Sequence, residues 1–163
     1  MIKYVIIILI LFLLQNIQAS EIVGIPKVVD GDTIHIKSYK IRLQGIDAPE
    51  IKQKCKKPYL QISFFNFQKD YYCGQISKKK LAQKIGSKSV KCIILSRDRY
   101  KRYLAKCLLG NINLNSWMVR NGYAIAYRKY SKLYILDENF AKEKKVGLWK
   151  GTFIKPEKWR KLN

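Results

Sequence analysis

Four of the eleven acidic residues cluster between positions 30 and 50 of a chain whose net charge is +22. Asp30 and Asp32 flank a glycine, and Asp47 and Glu50 flank an Ala-Pro dipeptide. Clustered carboxylates repel one another unless a cation lies among them or one of them takes up a proton. Because Ca²⁺ and Mg²⁺ prefer oxygen ligands, the cluster indicates a divalent-cation site. The alternative is that both segments are ordinary turns, in which Asp side chains bond nearby backbone.

Arginine is scarce in this lysine-rich chain, and four of the seven arginines are Arg42, Arg97, Arg99 and Arg102. Arginine binds phosphate oxygens through a two-pronged fork, which lysine cannot do. A divalent cation and two guanidinium groups would stabilise the negative charge that develops when a phosphodiester is hydrolysed. A carboxylate such as Glu50 could position or deprotonate the attacking water. The alternative for residues 97–102 is a solvated loop that binds phosphate without catalysis.

Missing residue types exclude several kinds of active site. His35 is the one histidine in the sequence, so zinc sites of the His-Glu-x-x-His type and any site with two or three histidines are impossible. The sequence has no Gly-rich phosphate loop and no Gly-x-Ser-x-Gly nucleophile motif. Apolar residues make up 48% of the chain, too many for a disordered polycation. Any chemistry must therefore come from carboxylates, Arg, Lys and Tyr.

The first nineteen residues have the pattern of an export signal. Lys3 precedes an apolar run from Tyr4 to Leu14, and a short polar stretch contains Ala19. This run is too short to cross a bilayer, which needs about 20 residues. We therefore expect a signal peptide over residues 1–19 and a secreted or periplasmic protein with no stable membrane association. The alternative is an uncleaved membrane anchor.

An exported chain with four cysteines is expected to form two disulfides. The polar stretch at residues 96–101 predicts a hairpin that places Cys92 directly opposite Cys107, within reach of a disulfide. Cys55 and Cys73 then pair by elimination. The alternative, four reduced thiols, requires that the leader does not direct export.

Apolar and polar residues alternate with a period of two along several segments, which predicts strands. Ile34 and Ile36 share one face of such a strand, and Ile41 and Leu43 share one face of the next. Strands are predicted at residues 22–29, 33–37, 41–46, 90–95, 103–109 and 124–127. Helices ending near glycines are predicted at residues 75–85, 114–121 and 131–145. Residues 51–73, rich in lysine and aromatic side chains, are predicted to be a loop or excursion.

The predicted strands bring the acidic residues together. A turn centred on Ser38–Tyr39 would place Asp32 opposite Gly45, at the same end of the hairpin as Asp47 and near Glu50. Because the chain has no linker and no internal repeat, we expect one domain at residues 20–163. The order of strands and helices predicts a mainly β protein with helices (α+β), a small β-barrel with helices packed on it.

Five motifs in order along the chain resemble the thermonuclease (staphylococcal nuclease-like) family. They cover roughly residues 22–160 and are VVDGDTIHI, IRLQGIDAPE, RDRYKRYLAKCLL, NSWMVRNGYAIAY and KEKKVGLWKG. The resemblance implies an OB-fold, a five-stranded β-barrel with about three packed α-helices. It also implies Ca²⁺-dependent hydrolysis of DNA and RNA phosphodiesters that leaves 3′-phosphate ends.

By resemblance, the calcium ligands are Asp32, Asp47 and the backbone carbonyl of Ala48, where many relatives have threonine. The chain departs from the typical member in two places: residues 51–73 are expanded, and the loop before Tyr100 is short. Both changes concern the shape of the nucleic-acid channel rather than the chemistry.

The same resemblance implies roles for the remaining site residues. Arg42 and Arg102 match the family's two phosphate arginines, and Glu50 matches its glutamate that contacts the attacking water. Tyr100 matches a tyrosine near the nucleotide phosphate, and Tyr127 matches a base-pocket tyrosine.

The expected protein is a monomeric, exported nuclease that cleaves DNA and RNA and prefers single strands, because exposed tyrosines stack on unpaired bases. One alternative is a non-catalytic, secreted nucleic-acid-binding OB-fold protein. Such a protein would be expected to lose the arginines or Glu50, which are present here. A membrane-active basic protein is disfavoured because the apolar residues are spread over strands rather than along one amphipathic helix.

Overall fold

The computed structural model describes residues 20–62 and 65–163 of the chain. The predicted signal peptide, residues 1–19, lies outside the described residues. The strands are β1 (Glu21–Gly24), β2 (Lys27–Val28), β3 (Thr33–Ile36), β4 (Tyr39–Leu43), β5 (Ile46–Asp47), β6 (Lys54–Ile62), β7 (Phe65–Tyr72), β8 (Val90–Arg97), β9 (Tyr103–Leu109), β10 (Ile112–Asn113) and β11 (Ile125–Ala126). The helices are α1 (Cys73–Ile85), α2 (Leu114–Arg120), α3 (Ile135–Glu143), a 3₁₀ turn (Gly147–Lys150) and α4 (Pro156–Leu162).

The main sheet curls into a half-barrel in the strand order β1-β8-β9-β4-β3-β2, with β10 on the outer part of β9. Neighbouring strands are antiparallel except β4 and β9, which are parallel. Two small sheets lie beside it, β5 with β11 and β6 with β7. The α+β fold class predicted from the sequence is confirmed.

The core confirms the predicted alternation. Ile34, Ile36, Ile41 and Leu43 have no exposed surface, so one face of β3 and β4 is buried while the other remains available for polar side chains. Helices α1 and α2 close the core with residues such as Leu81, Ile85, Leu114 and Met118. Helix α2 begins where predicted because the Asn113 side chain accepts hydrogen bonds from the amides of Asn115 and Ser116.

The register of the β3–β4 hairpin differs from the prediction by two residues. Ile36 pairs with Tyr39, so the turn is formed by Lys37 and Ser38 rather than by Ser38–Tyr39. Lys37 has a φ of +53°, a conformation the sequence pattern did not indicate. A shift of two residues keeps every side chain on its predicted face, because the side-chain period is two.

The predicted loop at residues 51–73 is wrong over most of its length, because β6 and β7 form a long antiparallel hairpin there. Its side chains are exposed on both faces wherever they are described except near Cys55 and Cys73. Such a hairpin has no apolar-in, polar-out alternation for a sequence pattern to detect.

The C-terminal third of the chain also differs from the prediction. Helix α3 begins at Ile135 rather than at Ser131, because Tyr130 and Ser131 donate their amides to Tyr127 O in a separate turn. Helix α4, a fourth helix, was not predicted, although Pro156 occupies the first helical position that proline favours.

Both predicted disulfides are present, Cys55–Cys73 and Cys92–Cys107. Cys92 lies opposite Cys107 in the β8–β9 register, as the hairpin argument required. Cys55–Cys73 joins the start of β6 to the start of α1 and so closes the base of the β6–β7 hairpin. Among the described residues, no helix has the length and apolar character needed to cross a membrane.

Candidate active site

Arg42 on β4 binds both aspartates that were predicted as metal ligands. Its Nη1 donates to Asp32 Oδ1 at 2.6 Å, and its Nη2 donates to Asp47 Oδ1 at 3.2 Å. Five residues of extended strand would separate Arg42 from Asp47 by about 16 Å. The chain turns back between them at Gly45, whose φ of +78° lies in the left-handed region that favours glycine. The two carboxylates therefore face one guanidinium group.

Asp32 is held from three sides. It is 3% exposed, its Oδ1 also accepts from Thr33 Oγ1 at 3.0 Å, and its Oδ2 accepts from the Ala48 amide at 3.0 Å. The Asp32 amide donates to Asp30 Oδ1 at 2.9 Å. The predicted ligand positions 32 and 48 are therefore neighbours in space.

The carboxylates at this site repel one another even though arginines are paired with them. Burial, together with repulsion from Asp32, raises the pKa of Asp47 to about 6 despite the nearby Arg160. Burial and the same Asp32 charge raise the pKa of Asp30 to about 6. Burial disfavours the charged form of Arg42, yet attraction to Asp32 and Asp47 outweighs it and raises the pKa of Arg42. A cation among these carboxylates would be electrostatically favoured.

Arg160 on α4 is a site residue that the sequence analysis missed. Its Nη2 donates to Asp47 Oδ1 and its Nη1 to Glu50 Oε1, each at 2.9 Å. The amide of Glu157, at the start of the same helix, donates to Asp47 Oδ2 at 3.0 Å. The C-terminal helix thus contributes both a side chain and a backbone group to the site.

Glu50 combines a partly exposed carboxylate with a tightly fixed backbone. Its side chain is 36% exposed, while its carbonyl accepts from the Gln53 amide at 2.8 Å. Gly74 of α1 approaches so closely that a Cβ there would lie 1.8 Å from Glu50 O. Only glycine permits this contact, which fixes the backbone from which the Glu50 side chain extends.

Arg102 immediately precedes β9. Its Nε donates to Asp98 Oδ2 at 2.8 Å, and Asp98 Oδ1 accepts from the amides of Tyr100 and Arg102. Asp98 thereby shapes the short turn that joins β8 to β9. Tyr100 projects from this turn and is 63% exposed.

Most of the predicted site residues line one cavity of about 880 Å³. Its lining includes seven of the eight predicted catalytic, metal and nucleic-acid-binding residues: Asp32, Arg42, Ala48, Glu50, Tyr100, Arg102 and Tyr127. Asp47, with no exposed surface, lies behind Arg42. Further positive charge comes from Lys40, Arg97, Arg99, Lys129 and Arg160. Tyr127 meets Tyr130 edge to face at 4.7 Å between ring centroids, and both rings line the cavity.

The chemistry of the donor set fits a hard divalent ion. Asp32 and Asp47 supply carboxylate oxygens only, the ligands that hard divalent ions prefer, and their mutual repulsion contributes to the raised pKa of Asp47. Within residues 20–62 and 65–163, no group of three or more Asp, Glu, His or Cys side chains could enclose a metal. The protein would therefore supply two carboxylates and leave the remaining positions to backbone oxygens and water, which Ca²⁺ accepts.

Comparison with known proteins identifies similar sequences that cover most of the chain. Residues 40–151 match the family described as staphylococcal nuclease homologue. This range contains Arg42, Asp47, Glu50 and Arg102, while Asp32 and Arg160 lie on either side of it.

Three relatives illustrate the similarity. An uncharacterized endonuclease of Haemophilus influenzae is 34% identical over 145 residues, which cover 84% of this chain and 71% of the relative. An uncharacterized endonuclease of Escherichia coli is 32% identical and is matched over 97% of both chains. A probable staphylococcal-like nuclease of Oryza sativa subsp. japonica is 32% identical over 80% of this chain, which spans 30% of that protein.

Proposed function

Because the chain belongs to the staphylococcal nuclease homologue family and resembles proteins named as endonucleases, we propose that it is a calcium-dependent, sugar-non-specific nuclease. Its substrates are the phosphodiester bonds of DNA and RNA, and its products carry 3′-phosphate ends. A secreted or periplasmic location, with the leader removed at residue 19, belongs to the same proposal.

A single observation carries this proposal: two buried carboxylates share an arginine at a basic cavity that is also lined by a second arginine and an accessible glutamate. Asp32 and Asp47 share the guanidinium of Arg42, and Glu50 and Arg102 line the same cavity. A protein that only binds nucleic acid needs positive charge and aromatic rings. It does not need buried carboxylates, which repel the phosphate backbone.

In the proposed mechanism, the guanidinium groups of Arg42 and Arg102 bind the non-bridging oxygens of the scissile phosphate and stabilise the added negative charge of the transition state. Glu50 accepts a proton from the attacking water as the new bond to phosphorus forms. The bond from phosphorus to the 5′ oxygen breaks, and that oxygen takes a proton from solvent, leaving a 5′-hydroxyl and a 3′-phosphate. When bound by Asp32 and Asp47, Ca²⁺ supplies Lewis-acid stabilisation of the same phosphoryl charge.

Substrate binding outside the reacting phosphate is proposed to depend on charge and stacking. The net charge of +22 favours polyanions through counterion release and carries little sequence information. Tyr100 and Tyr127 offer rings to bases that are not paired. This arrangement supports a preference for single strands. Because one protomer carries all of these groups, we propose that the nuclease is a monomer.

The proposal is tested with the purified mature protein, plasmid DNA and a single-stranded RNA. We expect cleavage of both with Ca²⁺, and a fall of at least ~100-fold in rate when Ca²⁺ is replaced by EGTA, the scale for losing a main source of charge stabilisation. End-labelling of the products checks for 3′-phosphate.

Binding measured by fluorescence anisotropy provides the control. In EGTA the protein should still bind a labelled oligonucleotide with strong salt dependence, because most of the affinity comes from lysine and arginine. Unchanged cleavage in EGTA would reject the metal role. Binding without cleavage under every condition would support the non-catalytic OB-fold alternative instead.

A further inference from the structure

Specific hydrogen bonds and a buried proline hold helix α4 against the active site. A seven-residue helix is unstable on its own, so its position reflects tertiary contacts. Lys56 and Thr152 exchange two backbone hydrogen bonds at 2.9 and 3.1 Å. The fully buried Gln53 donates through Nε2 to Ile154 O at 2.7 Å, and Pro156 is buried.

The same Gln53 connects α4 to the loop that carries Glu50. Its Oε1 accepts from the Glu50 amide at 3.3 Å while its Nε2 binds the segment leading into α4. One buried side chain thus ties the two segments together. Arg160 completes the connection with its bonds to Glu50 Oε1 and Asp47 Oδ1.

We propose that Arg160 is a positioning residue for Glu50, an inference that rests on the nuclease function proposed above. A glutamate that is 36% exposed can adopt several rotamers, and ordering it costs conformational entropy. Arg160 holds Oε1 and leaves Oε2 free to accept the proton of the attacking water. Its second bond, to the buried Asp47, fixes the guanidinium itself. Arg160 therefore acts through Glu50 rather than on the phosphate.

The test compares kcat and KM for a fluorogenic single-stranded oligonucleotide in R160A, R160K and wild type. We expect R160A to lower kcat about 30-fold with KM within about threefold, within the range for general-base catalysis. R160K should recover part of kcat, because lysine keeps the charge but cannot bond both carboxylates. K161A is the matched control, since Lys161 is the next residue on α4 and pairs with Glu157 of that helix.

A double mutant separates positioning from other roles of Arg160. If Arg160 acts through Glu50, R160A should lower kcat less than about threefold in an E50Q background, because the two residues act as a unit. If the losses in kcat caused by R160A and by E50Q instead multiply in the double mutant, the inference is overturned. A KM rise of tenfold with unchanged kcat would also overturn it, because that result would place Arg160 on the phosphate.

Hydrogen exchange of α4 in EGTA gives a readout that does not depend on the loaded enzyme. We expect faster exchange at the Glu157 amide in R160A than in K161A, with thermal unfolding of the whole domain little changed. If R160A fails to fold, the kcat of R160K, which keeps the positive charge, tests the positioning role instead. A wild-type protein that does not cleave would reject the proposed function, whereas full activity in both R160A and R160K would reject only the role of Arg160.

A second inference rests on a different surface, where β6 and β7 place like charges together. Lys57 lies directly opposite Lys69 in the hairpin register, and like charges in that position destabilise a sheet. The one acidic residue of the hairpin, Asp70, lies opposite Lys56, which puts it on the other face because side chains alternate.

A second element brings more lysine to the same face. Gly151 lies so close to the hairpin that a Cβ there would be 1.9 Å from Lys56 O, so the preceding 3₁₀ turn is pressed against β6. The result is a depression of about 540 Å³ lined by Lys57, Pro58, Tyr59, Lys69, Lys145 and Lys150. None of these four lysines forms an ion pair with any residue in the described part of the chain.

We call this depression the hairpin lysine site and propose that it binds the phosphodiester backbone of the substrate strand beyond the scissile position. This inference, too, rests on the proposed nuclease function. Its charge is complementary to phosphate, and Tyr59 offers a ring that is 66% exposed beside Lys69 Nζ, 4.5 Å from its centroid. The hairpin begins at Lys54, close in sequence to Glu50, and Cys55–Cys73 fixes its base.

The test is the K57E/K69E variant, with K78E/K79E on the exposed surface of α1 as a control of equal charge. For a 30-nucleotide strand, K57E/K69E should raise KM about tenfold, while cleavage of a dinucleotide stays unchanged. In EGTA, the salt dependence of binding should fall by about two counterions. Equal effects of the two variants on KM would overturn the inference. So would K57E/K69E binding that is weakened for phosphatidylglycerol vesicles but not for the 30-nucleotide strand.

Discussion

Replacing Arg42 with alanine is expected to lower kcat about 1000-fold, the upper part of the range for losing one charge-stabilising donor. Arg42 donates to Asp32 and Asp47 at once, and its side chain is 15% exposed. Its removal takes a guanidinium from the phosphate and also leaves two buried carboxylates facing each other. The measurement is kcat for a fluorogenic oligonucleotide at saturating Ca²⁺.

The same substitution should destabilise the protein by about 3 kcal/mol in EGTA, because it removes one partner of a buried charge cluster. R42K separates the two effects. Lysine keeps the charge among the carboxylates but lacks the fork that holds two phosphate oxygens, so R42K should remain stable and still lose about 100-fold in kcat. R120A is the control, since Arg120 pairs with Asp137 on the surface. An R42A protein with near-wild-type kcat would remove Arg42 from the mechanism.

The half of the site carried by β3, β4 and β5 was predictable because its residues are close in sequence and the side-chain period fixes their faces. Ile34 and Ile41 are buried as expected, and the alternate positions of β4, Lys40 and Arg42, line the cavity. The two-residue error in the register of the β3–β4 hairpin did not matter for the same reason. The bend at Gly45 could not be derived from periodicity, although a glycine beside a strand end is a known signal for such a turn.

Arg160 was out of reach for a different reason. It lies 110 residues from Glu50 in sequence, and no local pattern relates the two. The Pro156 and Glu157 pair, with basic residues in the last turn, was a usable signal for a helix. Nothing in that signal indicated which surface the helix would cover. Long-range contacts of this kind follow from packing of the whole chain rather than from the properties of a segment.

The β6–β7 hairpin could not be predicted because it lacks the buried face that sequence periodicity detects. Its lysines and aromatic side chains interact with one another, as in Lys57 with Tyr71 and Lys69 with Tyr59, instead of burying an apolar face. A disulfide at its base supplies stability that a core would otherwise provide. Sequence periodicity reports burial, so it does not register an element that is stabilised without it.

Replacing Glu50 with glutamine is expected to lower kcat about 1000-fold, since proton transfer by a positioned base contributes roughly 10²–10⁴-fold. Glutamine has nearly the same shape, and its amide oxygen can still accept from Arg160. Because the carboxylate is 36% exposed, losing its charge should change stability by less than about 1 kcal/mol. Affinity for an oligonucleotide in EGTA should stay within about twofold.

The E50Q substitution distinguishes a base from a residue that only shapes the site. Glutamine keeps the hydrogen bond to Arg160 but cannot take the proton of the attacking water, so kcat should fall while affinity for the oligonucleotide stays unchanged. E143Q is the matched control, because Glu143 is exposed and pairs with the neighbouring Lys144. If E50Q kept a kcat within about fivefold of wild type, water activation would have to be assigned elsewhere. The buried Asp47 could not take its place, because it has no exposed surface from which to reach a water in the cavity and is assigned to Ca²⁺ in the proposed mechanism.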